Sequence, residues 1–239
     1  MPTDLPRARQ LEGLRTAMVA LVRYADRAGQ DAPVPTCPGW TVRDLVLHQG
    51  EAHRSTAAML RGERAAEQHD PVAGDPLEWL RDGAIELVEA LTRAPQEFWM
   101  RRACHQTTLH AVDALAAVFG RPPDPAETWI ETDLAVDGID ELLTGFATRP
   151  TSRLRSDQES VLVVAPGDVP DWWLVRIGPR PAVATRGSGP RPDLPVCDWE
   201  LDGPAVALYL ALWDRSSRPM SWDRPPGPPG AGLTPAVHC

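Results

Sequence analysis

Apolar residues recur at three- and four-residue intervals through the first half of this 239-residue chain, then give way to short strand-like runs. Between Pro6 and Gly29 they fall at Leu11, Leu14, Met18, Leu21 and Val22, the stripe an amphipathic helix requires. After the loop QDAPVPTCPGW, Thr41 followed three residues later by Asp44 predicts a capped helix start. The apolar face of that helix is Val42, Leu45, Val46, Met59 and Leu60, and it runs to about Arg61. A third helix is expected from Pro76 to Thr92 on Leu77, Leu80, Ala84, Leu87 and Leu91, and a fourth from Glu97 to Phe119. A shorter amphipathic segment follows over Pro125 to Phe146. Helices of this length joined by short polar connections predict a bundle.

From Thr151 the period changes. SVLVVAP (160–166), WWLVRIG (172–178) and AVATRG (182–187), each bounded by Pro, Gly or Asp, read as strands of a small sheet. DWELDGPAVALYLALWDR (198–215) reads as a strand, a turn and a helix, with Pro204 near the first turn and Val206, Tyr209, Leu210 and Trp213 on one face. The fold class expected is therefore α+β: a helical bundle over 1–148, a small α/β domain over 149–220, and a Pro/Gly-rich tail, 221–239, expected to be disordered.

Charge narrows the partners. A net charge of -9 leaves no excess of basic residues for a nucleic-acid groove or an anionic membrane surface. A small-molecule enzyme or binder, monomer or homodimer, fits better. The N-terminus has no apolar signal core and no run of eighteen apolar residues occurs, so neither export nor membrane insertion is expected. Cys37, Cys104, Cys197 and Cys239 form no CxxC pair, which predicts free thiols in a reducing cytoplasm rather than a thiolate cage or a disulfide framework. All 24 Lys+Arg residues are arginines, an association with GC-rich genomes that also excludes lysine Schiff-base chemistry.

The candidate chemistry lies in RRACHQTTLHAVDA (101–114). On a helix, Gln106, His110 and Asp113 point roughly one way. Such spacing also arises by chance, and a lone histidine among apolar neighbours is more often a hydrogen-bonded core residue than a ligand. His48, on the second helix, supplies an imidazole from a separate element, as zinc and related ions require. Helical phase turns His53 away from His48, and His105 away from His110. Cys104 reads as buried structure before nucleophile, and Trp40 as an anchor of its loop.

Three runs, VPTCPGWTVRDLVLHQGEAHR (34–54), RRACHQTTLHAVDAL (101–115) and ETDLAVDGIDELL (131–143), resemble the mycothiol-dependent maleylpyruvate isomerase family of the DinB-like metalloenzyme superfamily. The resemblance implies a DinB-like four-helix bundle followed by a small α/β domain. It also implies a divalent metal, zinc most often, held by His48, His110 and the residue at position 106, where the family carries glutamate and this chain has Gln106. Mycothiol, the low-molecular-weight thiol of actinobacteria, would be the cosubstrate. The reaction implied is isomerisation or thiol S-transfer on a small electrophile such as an unsaturated carboxylic acid. Arg215, in LALWDR, matches a segment whose arginine serves catalysis or binds the cofactor or an acidic substrate, although an arginine ending a helix also meets the dipole favourably.

Gln106 departs from the family pattern. A neutral amide gives a cation only a carbonyl dipole, so affinity falls relative to a carboxylate. Asp113, Asp44 or Glu51 could replace the missing charge, though supporting or surface roles suit each better. Two alternatives follow: a ligand-binding or regulatory protein that kept the fold and lost the reaction, and a metal-free enzyme using His110 as acid and base.

Overall fold

The computed structural model describes residues 3, 5–63, 74–94, 96–190 and 197–216. Its helices begin and end where the sequence chemistry puts them. The first, α1, spans Arg7–Ala28 and closes on Gly29. Helix α2, Val42–Leu60, starts on a capping box in which Thr41 Oγ1 accepts from Asp44 N and Thr41 N donates to Asp44 Oδ2 at 2.8 Å. That box fixes the helical phase two turns ahead of His48. Helix α3, Pro76–Arg93, is capped by the Asp75 carboxylate and has proline at its first position. Helix α4, Glu97–Phe119, stops at Gly120, whose φ of 69° is left-handed, a conformation glycine adopts without penalty.

These four helices make up one compact unit, Pro6–Pro123. Helix α1 packs along α4 and α2 along α3, and the two pairs meet over much shorter stretches. Leu14, Leu21, Leu45, Leu80, Leu87, Leu91 and Met100 are fully buried at its core. Most of the predicted α2 face is buried, Val42, Leu45 and Val46 included, but Met59 is 50% exposed. Of the cysteines, Cys104 is buried, as expected, and neither it nor Cys197 forms a disulfide.

The second unit comprises the described residues from Asp124 to Ser216, with Thr3 and Leu5. It holds α5 (Thr132–Asp140), α6 (Ala205–Leu212) and four strands, β1 (Ser160–Pro166), β2 (Asp171–Ile177), β3 (Val183–Ser188) and β4 (Trp199–Gly203). The sheet order is β3-β2-β1-β4, with β1 antiparallel to β2, β2 antiparallel to β3, and β1 parallel to β4. Pro204 precedes α6, in keeping with the predicted strand, turn and helix.

The division between the units falls at Asp124, earlier than the boundary expected at 148. The cause is local packing. Trp173 of β2 donates its indole N–H to Asp140 Oδ1 at 2.9 Å, and Trp213 donates to the Gly138 carbonyl at 3.1 Å, tying α5 to the sheet and α6. The single amphipathic segment expected from Pro125 to Phe146 is broken into a 3-10 turn at Pro125–Glu127, then α5, then a π-helical turn at Glu141–Phe146. Thr144 Oγ1 bonds the Asp140 carbonyl inside that last turn, a back-bond that accompanies distorted helix geometry. The tail expected over 221–239 lies outside the described residues. No helix among the described residues is long and apolar enough to cross a membrane.

Candidate functional site

Two histidines meet between α2 and α4. The rings of His48 and His110 lie 5.2 Å apart, centroid to centroid, at 80° to one another. On the other side of His48 the Trp40 indole sits 5.0 Å away, edge to face. The loop that carries Trp40 is held by Val34 N donating to the Trp40 carbonyl at 2.9 Å and Trp40 N donating to the Cys37 carbonyl at 3.0 Å. Gly39 takes a φ of 85° there, the left-handed conformation that lets the chain turn before the tryptophan.

Asp113 organises the floor of the site. It is fully buried and its Oδ2 lies 3.0 Å from His110 Nδ1. Its Oδ1 accepts a 2.6 Å hydrogen bond from Thr36 Oγ1, and Cys37 Sγ lies 3.6 Å from Oδ2. A carboxylate on Nδ1 fixes the proton there, which leaves His110 Nε2 as the nitrogen available to a ligand. His48 is held low, at about 4, first because burial disfavours the imidazolium and then because His110 opposes it. It is therefore neutral near pH 7, the form in which imidazole binds metal.

Gln106 lies one turn before His110 on the same helical face and is half-buried. Among the described residues nothing hydrogen-bonds its side chain. The donor set that could hold a divalent ion is thus two imidazoles from different helices and one amide carbonyl. This fits a borderline cation with an open position, since imidazole suits zinc and its neighbours and a neutral oxygen completes the set weakly. No group of three His, Cys, Asp or Glu side chains among the described residues could hold a metal, so no carboxylate replaces the missing glutamate. Asp44 caps α2, and Glu51 accepts from Ser55 at 3.0 Å.

Of the residues singled out from the sequence, His48 and His110 are brought together. His53 faces elsewhere, as its helical phase requires, with Nε2 3.1 Å from Thr107 Oγ1. Arg215 belongs to the other unit, where it is 3% exposed and donates through Nη1 to the Trp213 carbonyl at 2.7 Å. Sequence reasoning missed the contacts of Trp40 and Thr36 and the anchoring of His110 by Asp113. The i, i+3 spacing of His110 and Asp113 was the signal available for the last.

Comparison with known proteins agrees with this architecture. Residues 11–115 match the model of the mycothiol maleylpyruvate isomerase N-terminal domain, and residues 133–229 match the MDMPI C-terminal domain. The crystal structure of the mycothiol-dependent maleylpyruvate isomerase superposes with a TM-score of 0.60 at 14% identity, covering 96% of this chain and 99% of that one. A histidine-to-alanine mutant of that enzyme superposes with a TM-score of 0.56 at 13% identity over the same shares. At such identities the likeness establishes the fold. No curated protein matches the sequence.

Proposed function

We propose, from the premise that this chain belongs to the mycothiol maleylpyruvate isomerase family, that it is a mycothiol-using isomerase or thiol S-transferase acting on a small electrophile, with a divalent metal, zinc by ligand preference, held by His48, Gln106 and His110. The observation that carries this reading is the pair of facing imidazoles, one kept neutral by burial and the other oriented by a buried carboxylate.

A bound divalent ion supplies a lowered thiol pKa and hence a nucleophile at neutral pH. The rest is the work of this chain's own side chains. His48 presents a neutral ring whose burial under Trp40 keeps protons from competing for its nitrogen. Asp113 and Thr36 hold the tautomer of His110 with Nε2 outward. Gln106 adds no charge, so a cation held there would be less neutralised and would favour a thiolate the more. The mycothiol sulfur then attacks an electrophilic carbon. In isomerisation it leaves after rotation about the former double bond, and in S-transfer the adduct is the product. Arg215 is proposed separately as a residue for an anionic group, on its guanidinium's match to a carboxylate.

The test is thiol consumption and electrophile turnover with mycothiol, before and after chelation and with one metal restored. Activity lost on chelation, recovered with zinc and absent in His110→Ala supports the reading. The amide at position 106 favours a second reading, in which His110, oriented by Asp113, moves the proton without a metal. Full activity after exhaustive chelation selects it. An inert protein that still gains thermal stability with mycothiol, unchanged by His48→Ala, selects the non-catalytic binder.

A further inference from the structure

The helical unit carries a cavity built by the loose meeting of α1 and α3. It has a volume of about 730 Å³, within the range of small-molecule sites. Its walls are Met18, Val19 and Val22 from α1 and Ala84, Ile85 and Val88 from α3, and its floor reaches His53 of α2. Val19 and Ile85 are 69% and 59% exposed, so the two helices present an apolar cleft to solvent.

Its edges are charged, and mostly of one sign. Arg15, Arg23 and Arg81 line the cleft, and none makes an ion pair among the described residues. The one acidic residue at the edge, Glu89, is engaged by Arg93 at 3.4 Å. Three guanidiniums without an acidic partner among the described residues, Arg23 resting over the Tyr24 ring at 5.5 Å, stand around an apolar slot in a chain whose net charge is -9. The floor is polar at one point. His53 is buried, with Nε2 2.7 Å from the Gln49 amide nitrogen and 3.1 Å from Thr107 Oγ1, while its Nδ1 has no partner. In either tautomer His53 Nδ1 is a buried ring nitrogen left without a hydrogen bond. Such an orphan costs on the order of 1–3 kcal/mol while it stays unpaired.

We propose that the cleft between α1 and α3 binds an anionic amphiphile: a carboxylate borne on an apolar body about 12 Å long, the axial distance between Arg15 and Arg23. The body lies against the apolar walls, the carboxylate meets the rim arginines, and the unpaired His53 Nδ1 offers one polar contact at the floor. A second copy of the chain is a poor occupant, because a two-fold contact through this face brings the same three arginines against one another. The lining of the cleft shares no residue with the His48 and His110 pair, and the proposal does not depend on the function proposed for that pair.

The experiment is calorimetric titration of the full chain with decanoate and, as the uncharged control, decanol, with sedimentation velocity on the same samples. Saturable decanoate binding, with decanol weaker by about tenfold or more, is expected. Ile85→Asp, at an exposed position that leaves folding intact, should abolish it, and the triple variant Arg15→Glu, Arg23→Glu, Arg81→Glu should weaken decanoate by about tenfold or more without affecting decanol. The side-chain nitrogen resonances of His53 should shift on saturation. No saturable binding up to about 1 mM, equal affinity for decanol, or indifference to Ile85→Asp overturns the proposal. So does a ligand-free dimer that Ile85→Asp dissociates, which would assign the face to a second copy.

Discussion

Acidification should destabilise this protein through His53 in particular. That imidazole is held at about 3, against an ordinary 6.5, first by burial and then by repulsion from His110 and Arg54. The folded state keeps His53 neutral until the pH approaches 3, whereas the unfolded chain protonates it below 6.5. Between those values the unfolded state binds the extra proton, so stability is unaffected above about pH 7 and falls as the pH drops. The loss from this one residue is about 2 kcal/mol at pH 5 and about 3 kcal/mol at pH 4. Urea unfolding of wild type and His53→Phe at pH 7, 6, 5 and 4 reads it directly. The variant loses the bonds to Gln49 and Thr107 and starts lower at pH 7, but its stability should decline less steeply, closing the gap by about 2 kcal/mol at pH 5. Parallel pH profiles, or a His53 resonance titrating near 6.5 in the folded protein, would refute the reasoning.

Three further outcomes follow from the site. Asp113→Asn removes the charge that orients His110, and metal affinity measured by competition with a chromophoric chelator should fall by about 10- to 100-fold while the helical circular dichroism is kept. Gln106→Glu supplies the missing anionic oxygen and should raise zinc affinity in the same assay; unchanged affinity would mean that position 106 does not face the ion. Trp40→Ala uncovers His48, so its nitrogen resonances should titrate above the present value of about 4, moving toward 6.5.

The helices of the first unit were legible because their chemistry is local. Thr41 and Asp44 cap α2 through their own side chains, and the apolar stripe of α1 coincides with Leu14, Met18 and Leu21 in the core. The strands were legible for the same reason, as runs such as SVLVVAP need only neighbours on either side. The segment after Pro125 was not, because its break into a 3-10 turn, α5 and a π-helical turn accompanies bonds from Trp173 and Trp213 that no periodicity encodes. The same long-range indoles moved the unit boundary to Asp124.

At the site, spacing alone could pair Gln106 with His110 but could not bring His48 to 5.2 Å from it; that took the resemblance and then the fold. Asp113 was weighed as a replacement for the glutamate with a supporting role preferred, and the partners of that role, Thr36 and His110 Nδ1, came only with the fold. His53, set aside on helical phase, meets Gln49 and Thr107 through Nε2. Its place on the floor of the α1 and α3 cleft depends on packing between helices far apart in sequence, which is why that cleft had no signature in the chain.

The central claim is that His48, Gln106 and His110 together hold a metal. Elemental analysis of protein purified without chelators, alongside His48→Ala, tests it most directly: the account predicts about one equivalent of zinc or a neighbouring divalent metal in the wild type and little in the variant. Less than about a tenth of an equivalent in the wild type, with none taken up on reconstitution, would contradict it.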